Sequence, residues 1–433
     1  MRAPCFAARV GVLCLLLGTA CGSAPRGRVL LVGIDGATLR MVTPLIEAGR
    51  LPHLAALARD GFGGPLRAHE PLLSPRIWTS IATGMDPRRH GIVSFARPDA
   101  AGVRQLYRSS DRRVPALWNI ASAAGLSVVV VNWWNTYPVE KVRGAMVSDH
   151  VLAMEIQGRR ALTGAEPPTP ASLAWPRAWN ARLPQLLRDD APLTRVANPF
   201  AQRERFAAWM NSEALARRYE NDADIARIAL ALEAALSPDL LMVFLPGIDR
   251  VSHVLWAAVE PTSAYADPPR MDAEQRSAAA EALRLYYVYS DALIGRLMQR
   301  YGERDLVLVV SDHGFEAGRA LGFLSGVHKS PGARDGVIFA RGPGIVAGAG
   351  EPAASVNDVT PTVLAWLGLP VADDMDGRVA HFLAGAAPAR VASYAGLPVE
   401  RLESAVSVTE REVLAELRSL GYLDDAGGAA VTP

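Results

Sequence analysis

The sequence predicts an α/β fold, a three-layer α/β/α sandwich around a mostly parallel central sheet, with a helical or irregular cap inserted into it. Three observations predict it. Four short apolar runs rich in Val, Leu and Ile recur along the chain. Helical patterns separate them, and acidic residues stand behind three of the four.

The runs are Val29 to Ile34, Leu126 to Val131, Leu240 to Leu245 and Leu306 to Val310. Unbroken apolarity over so few residues marks strands covered on both faces. After the first, PLIEAGRLPHLAALARDG reads as two helical pieces closed by Gly61. From about Gly158 to Arg203 the chain is rich in Pro, Trp and Arg and keeps no period, which suits a cap or loop over the sheet's edge. Helical spacing returns up to about Leu236, so the cap insertion is placed at 158–236 of a main domain spanning 29–385. Ala278 to Tyr301 spaces its apolar residues as a long amphipathic helix leading into the Leu306 strand. In 386–433, VTEREVLAELRSLGYL predicts a last helix, capped by Thr409 and ended by Gly421, before a disordered tail.

The N-terminus reads as an export signal over residues 1–21, followed by a short linker at 22–28. Arg2 and Arg9 precede the apolar run GVLCLLLGTA, which is too short for a comfortable transmembrane helix. Gly18-Thr19-Ala20-Cys21 resembles a lipobox, which would make Cys21 the lipidated first residue of a bacterial envelope lipoprotein. Plain cleavage after Ala20 is the alternative. Cys5, Cys14 and Cys21 are the only cysteines, so the mature chain holds at most one thiol and no internal disulfide. Lys and Arg number 45 against 44 Asp and Glu, which gives no basic surface for nucleic acid. Neither oligomeric state nor natural substrate is legible.

Three runs deliver carboxylates: Asp35 after the first, Asp249 after the third, and Asp312 with His313 after the fourth. In open α/β sheets, ligands bind outside the carboxyl ends of the strands. Carboxylates gathered at one edge repel one another, and divalent cations are the simplest remedy. Each piece alone has a plainer reading. Asp35-Gly36 is a turn pair, Asp249 and His253 are a helical i, i+4 pair, and His328 is a loop histidine. Their common position at successive strand ends favours the shared site.

Taken together these pieces resemble the type I phosphodiesterase and nucleotide pyrophosphatase branch of the alkaline phosphatase superfamily. The matching segments are IDG at Asp35, LLSPRIWTSIATGMDPRRHGI from Leu72 to Ile92, DRVSH from Asp249 to His253, SDHGF from Ser311 to Phe315, and His328 before a Gly-rich strand. NDVTPTVLAWLGLP from Asn357 and MDGR at Met375 extend the likeness to Arg378.

The resemblance implies two divalent metal ions, with zinc favoured and manganese or iron as alternatives, since the ligands are nitrogen and oxygen without thiolate. One ion would take Asp249, His253 and His328, and the other Asp35, Asp312, His313 and the Ser74 hydroxyl. Ser74 would be the nucleophile, ten residues before Gly84. Local chemistry agrees: Pro75 suits a first helical position, which sets Ser74 at a helix N-terminus where phosphate is favoured. As a plain N-cap Ser74 would be structural, and Thr79 and Ser80 rank below it because they fall inside the helix.

The implied activity is metal-dependent hydrolysis of a small phosphate ester, a diester first, through a phosphoseryl intermediate. The alternatives are a phosphomonoesterase or phospho-group transferase of the same superfamily, and a non-catalytic lipoprotein that keeps the fold for binding. Phe95 stands where nucleotide-cleaving relatives place a phosphate-binding Asn, with Arg76 or Asn132 as substitutes. Ser74-Pro75-Arg76 lacks the sulfatase spacing. In NWWNTYP, Trp133 and Trp134 either line a leaving-group pocket or belong to the core.

Overall fold

Side chains along the central strands alternate between two separate apolar cores, so the sheet is sealed on both faces. The computed structural model describes residues 27–403 except 100–101, 103, 152–172, 188, 190, 319–323, 351–353 and 386. The expected export signal, the expected C-terminal helix and tail beyond 403, and the first part of the expected cap lie outside the described residues.

Ten strands form the main sheet: β1 (Val29–Ile34), β2 (Phe62–Arg67), β3 (Val128–Val131), β4 (Gly144–Val147), β5 (Ala174–Trp175), β6 (Leu240–Leu245), β7 (Leu306–Val310), β8 (Asp335–Arg341), β9 (Gly348–Ala349) and β10 (Ala354–Ser355). Their order is β9-β2-β8-β7-β1-β6-β3-β4-β5, with β10 also paired to β2. The five strands from β7 to β4 are parallel, and β8 and β5 join them antiparallel. The four predicted strands are therefore the sheet's centre, the second starting at Val128 because Leu126 is drawn back to Ala121 O at the end of the preceding helix. β2 escapes sequence reading because FGGPLR carries two glycines and a proline.

One face is covered by α1 (Leu39–Glu47), α2 (Pro52–Asp60), α5 (Ser212–Leu236), α6 (Gly247–Leu255) and α7 (Ala273–Met298). The other is covered by α3 (Ser74–Thr83), α4 (Leu117–Ala123) and α8 (Val359–Trp366). α7 begins at Ala273 rather than Ala278, because Asp272 and Gln275 form a capping box there. Among the described residues no helix is long and apolar enough to cross a membrane. In the described part of the cap, Leu183, Phe200, Phe206 and Met210 are buried in the same core as α5 and α7. α5 itself packs directly on β6.

On the opposite face a buried charge network ties residues 401 and 402 to the middle of the chain. Arg112 donates to both oxygens of Glu140 at 2.7 and 2.9 Å, and Trp118 and Asn119 donate at 2.6 and 2.9 Å. Arg401 lies 3.3 Å from Glu140, and Leu402 N donates to Val139 O at 3.0 Å. Burial opposes the charge on Glu140, but Arg112 and these donors outweigh it and hold the carboxyl below its ordinary range. Glu140→Ala leaves Arg112 buried without its counter-charge. The expected loss of unfolding free energy in urea is about 3–5 kcal/mol.

Candidate active site and metal centre

Register brings the site together. Parallel pairing sets Gly33 opposite Phe244 and Val310, so β1, β6 and β7 end at one level. Asp35 follows β1 immediately. Asp312 and His313 follow β7 after Ser311, and Asp249 lies in the first turn of α6, with His253 one turn further on the same face. His328 arrives from a two-stranded hairpin in which Glu316 pairs with Val327. Gly36 permits the convergence: its φ is +72°, and a Cβ there would fall 2.6 Å from Phe315 and 3.0 Å from Asp249 Cα.

The six side chains are between 0 and 4% exposed. His313 Nε2 lies 3.5 Å from Asp35 Oδ1 and 3.4 Å from Asp312 Oδ2. Asp249 Oδ1 lies 3.3 Å from His253 Nε2 and 3.8 Å from His328 Nε2. Two groups offer ligand atoms all within 4.8 Å of one another: Asp35, Asp312 and His313, and Asp249, His313 and His328. His313 thus belongs to both groups, whereas sequence reading gave it to one. His253 joins the second through Asp249.

The imidazoles share one orientation. Nδ1 of His253, His313 and His328 faces a backbone carbonyl, of Gly326 at 2.8 Å, Gly314 at 3.1 Å and Leu72 at 3.0 Å. Each carbonyl fixes the proton on Nδ1 and leaves the Nε2 lone pair for the centre, the arrangement of metal-binding histidines. Asp35 Oδ1, Asp312 Oδ2 and His313 Nε2 are buried with no hydrogen-bond partner among the described residues. Burial first, then Asp312 and Asp249, pushes the Asp35 carboxyl well above the carboxylate range, and burial likewise raises Asp312. Burial also opposes ionisation of Asp249, but His253, His328 and His313 overcome it and lower its pKa. Burial, with His313 and His253 adding to it, keeps His328 neutral. Imidazoles with Nε2 turned inward and crowded carboxylates with unsatisfied oxygens fit divalent cations.

Ser74 enters through the Leu72 carbonyl that holds His328, two residues upstream. α3 starts at Ser74, one residue earlier than expected, because Leu73 O accepts from Arg76 N and Ile77 N and closes the first turn. Leu73 is the N-cap and has no side chain that can cap, so Ser74 does not serve as one. The competing hydroxyls are occupied: Thr79 donates to Pro75 O, and Ser80 Oγ lies between His69 and His90 at 2.8 and 3.0 Å. The loop after β3 staples this helix to the sheet. Trp133 donates to Trp78 O at 3.1 Å, and Asn135 to Pro75 O at 3.1 Å. Trp133 is fully buried, a core residue, while Trp134 is half-buried between Phe95 and Phe244. Arg76 donates to Glu70 O at 2.8 Å and Asn132 to Phe244 O at 3.0 Å.

Sequence reasoning passed over Phe315, whose ring lies 5.0, 5.9 and 5.6 Å from those of His253, His313 and His328. Its place in SDHGF was the available signal. His53, His90, His150 and His381 are outside both ligand groups, as is His69.

The type I phosphodiesterase / nucleotide pyrophosphatase family model matches residues 29–362. No curated protein matches the chain in sequence. Among solved structures, human ectonucleotide pyrophosphatase / phosphodiesterase 5 is 12% identical, with 81% of this chain and 97% of that one covered at a TM-score of 0.47. The phosphonate monoester hydrolase of Silicibacter pomeroyi is 17% identical, covering 84% and 78% at 0.44. A putative sulfatase from Bacteroides thetaiotaomicron is 15% identical, covering 83% and 75% at 0.49.

A carboxyl that keeps its proton in the fold makes the cation-free protein less stable as pH rises from the unfolded pKa towards the folded one. Asp35→Asn removes that burden. At neutral pH the cation-free variant is expected to melt at a higher temperature than the cation-free wild type, while binding divalent cations more weakly. In the wild type, cation binding expels the Asp35 proton, so apparent affinity rises with pH, and calorimetry in buffers of different ionisation enthalpy reads the proton release.

Proposed function

Because the chain belongs to the type I phosphodiesterase / nucleotide pyrophosphatase family, whose members are metal-dependent phosphoester hydrolases, we propose that it hydrolyses small phosphate diesters at a two-cation centre with Ser74 as nucleophile. The observation that carries this reading is the convergence of Asp35, Asp249, His253, Asp312, His313 and His328, with three Nε2 atoms presented inward beside the turn that begins α3. Nitrogen and oxygen donors without thiolate favour zinc at both positions.

Cations held by Asp35, Asp312 and His313 and by Asp249, His253 and His328 would, when bound, neutralise charge on the phosphoryl oxygens and lower the pKa of a hydroxyl or water. The remaining work falls to the chain. Ser74 Oγ, at the positive end of α3, gives up its proton and attacks phosphorus. The bond from phosphorus to the leaving oxygen breaks, and the alcohol departs with a proton. Water then attacks the phosphoserine from the opposite side, returning the Ser74 hydroxyl and releasing the monoester. The stapled helix holds Ser74 in place through both displacements, and positioning of this kind is most of what phosphoryl transfer requires. No nucleotide specificity is included, since Phe95, packed against Trp134, stands where an amide contact is expected.

We place this activity in the bacterial cell envelope, on a lipid anchor at Cys21, from the pattern of residues 2–21. Metabolic labelling with palmitate is expected to mark the wild type and not Cys21→Ser.

Ser74→Ala is expected to lower kcat on bis-p-nitrophenyl phosphate by on the order of 10³ or more while the protein still binds cations. Turnover of the variant at the wild-type rate would end the nucleophile assignment. A preference of the wild type for p-nitrophenyl phosphate would move the substrate class to monoesters.

A further inference from the structure

The short hairpin that delivers His328 also supplies the carbonyl that orients His253. Gly326 O accepts from His253 Nδ1 at 2.8 Å, and His328 follows two residues later. Asp249 and His253 of α6 and His328 beside this hairpin therefore make up the histidine-rich half of the centre; Ser325 ties the hairpin to α6 ahead of the histidine, and one acidic residue holds the chain on either side of it. Glu316 pairs in the antiparallel ladder with Val327, immediately before His328. Its carboxylate reaches past the histidine to the other side. One oxygen accepts from Lys329 N at 3.3 Å and Ser330 N at 2.8 Å, and the other accepts from the Ser330 hydroxyl.

His328 is thus bracketed on both sides by one residue, through backbone before it and side chain after it. Lys329 is exposed, and the next residues, Pro331–Ala333, form a single 3₁₀ turn anchored at its far end, where Ala333 is buried and its carbonyl accepts from Gly314 N at 2.7 Å, so Glu316 is the tie nearest the histidine. The position of Glu316 makes the coupling more pointed. It lies three residues after His313, in the loop that carries the other ligand group, with only Gly314 and Phe315 between them. Phe315 in turn touches all three imidazoles.

We infer that Glu316 is a positioning residue that presets the cation site built from Asp249, His253 and His328, by locking the His328 loop onto the Asp312-His313 loop. The inference rests on the two-cation reading above. Both carboxylate oxygens are occupied by the loop, so Glu316 holds the ligands without being one of them. A residue of this kind sets how tightly one of two neighbouring ions is held and leaves the other nearly untouched, because Asp35 and Asp312 are anchored separately. Gly36 N donates to Asp312 Oδ1 at 3.2 Å, and Ser311 Oγ accepts from Ala37 N at 2.8 Å.

The test is a cobalt(II) titration of the full chain after chelation, followed by visible absorption, with Glu316→Ala, Glu316→Gln and Ser330→Ala beside the wild type. The wild type is expected to take up two equivalents. In Glu316→Ala the Kd of one equivalent is expected to rise about 10-fold, the lower end of the effect of losing an outer partner, because Glu316 holds the chain beside His328 and not the imidazole itself, with the other equivalent unchanged. Glu316→Gln keeps a carbonyl for the two backbone donors and is expected to recover most of the affinity. Ser330→Ala, which removes only the hydroxyl contact, should show a smaller rise at the same equivalent and serves if Glu316→Ala does not fold. A merely structural role would lower the melting temperature and leave both affinities alone. That result, or wild-type binding of both equivalents by Glu316→Ala and Ser330→Ala, overturns the inference. A wild type that takes up one equivalent or none overturns the two-cation reading instead.

Discussion

Three carboxylates held out of water at the same end of one sheet are the constraint from which the rest of the site follows. Asp35, Asp249 and Asp312 are nearly fully buried, and Asp312 and Asp249 raise the cost of charging Asp35, as Asp249 does for Asp312. A fold tolerates such a cluster only if protons or cations neutralise it. The three imidazoles answer the same constraint from the other side. Their Nδ1 atoms are committed to backbone carbonyls, so their lone pairs converge where positive charge is wanted. The parallel register of β1, β6 and β7 makes this convergence unavoidable once the strands pair, since all three chains leave the sheet at one height.

The sequence was most informative where burial alone decides the structure. Val29–Ile34, Leu240–Leu245 and Leu306–Val310 were legible to the residue, because a strand sealed on both faces tolerates no polar interruption. Edge elements were opaque for the opposite reason. Phe62–Arg67 contains Gly63, Gly64 and Pro65 and owes its strand geometry to Asp335–Arg341 beside it. The candidate ligand residues could be picked out because carboxylates and histidines at strand ends are chemically conspicuous. Their supports could not, because the Leu72, Gly314 and Gly326 carbonyls carry no signature in residue type. The same blindness explains the sharing of His313 between two groups, a matter of distances rather than spacing.

Ser74 shows how a weakly specific residue acquires meaning from its surroundings. A serine before a proline is ordinary. Here the turn containing it is fastened at one end by His328 and along its helix by Trp133 and Asn135, which come from a different strand. The helix that would present the nucleophile is thus immobilised by the loop of one strand and a ligand of the centre it serves.

The closure of Arg401 and Leu402 onto the loop after β3 gives the domain a limit that sequence comparison places elsewhere. The family match ends at residue 362, yet the chain runs on for some forty residues before returning to Glu140 and Val139. This return strap makes the catalytic unit longer than its recognisable core, much as a belt is longer than the waist it encircles. An expression boundary drawn at the end of the match would strip Arg401, one of the two guanidinium groups beside the sealed Glu140, and leave Arg112 as its sole ionic partner among the described residues.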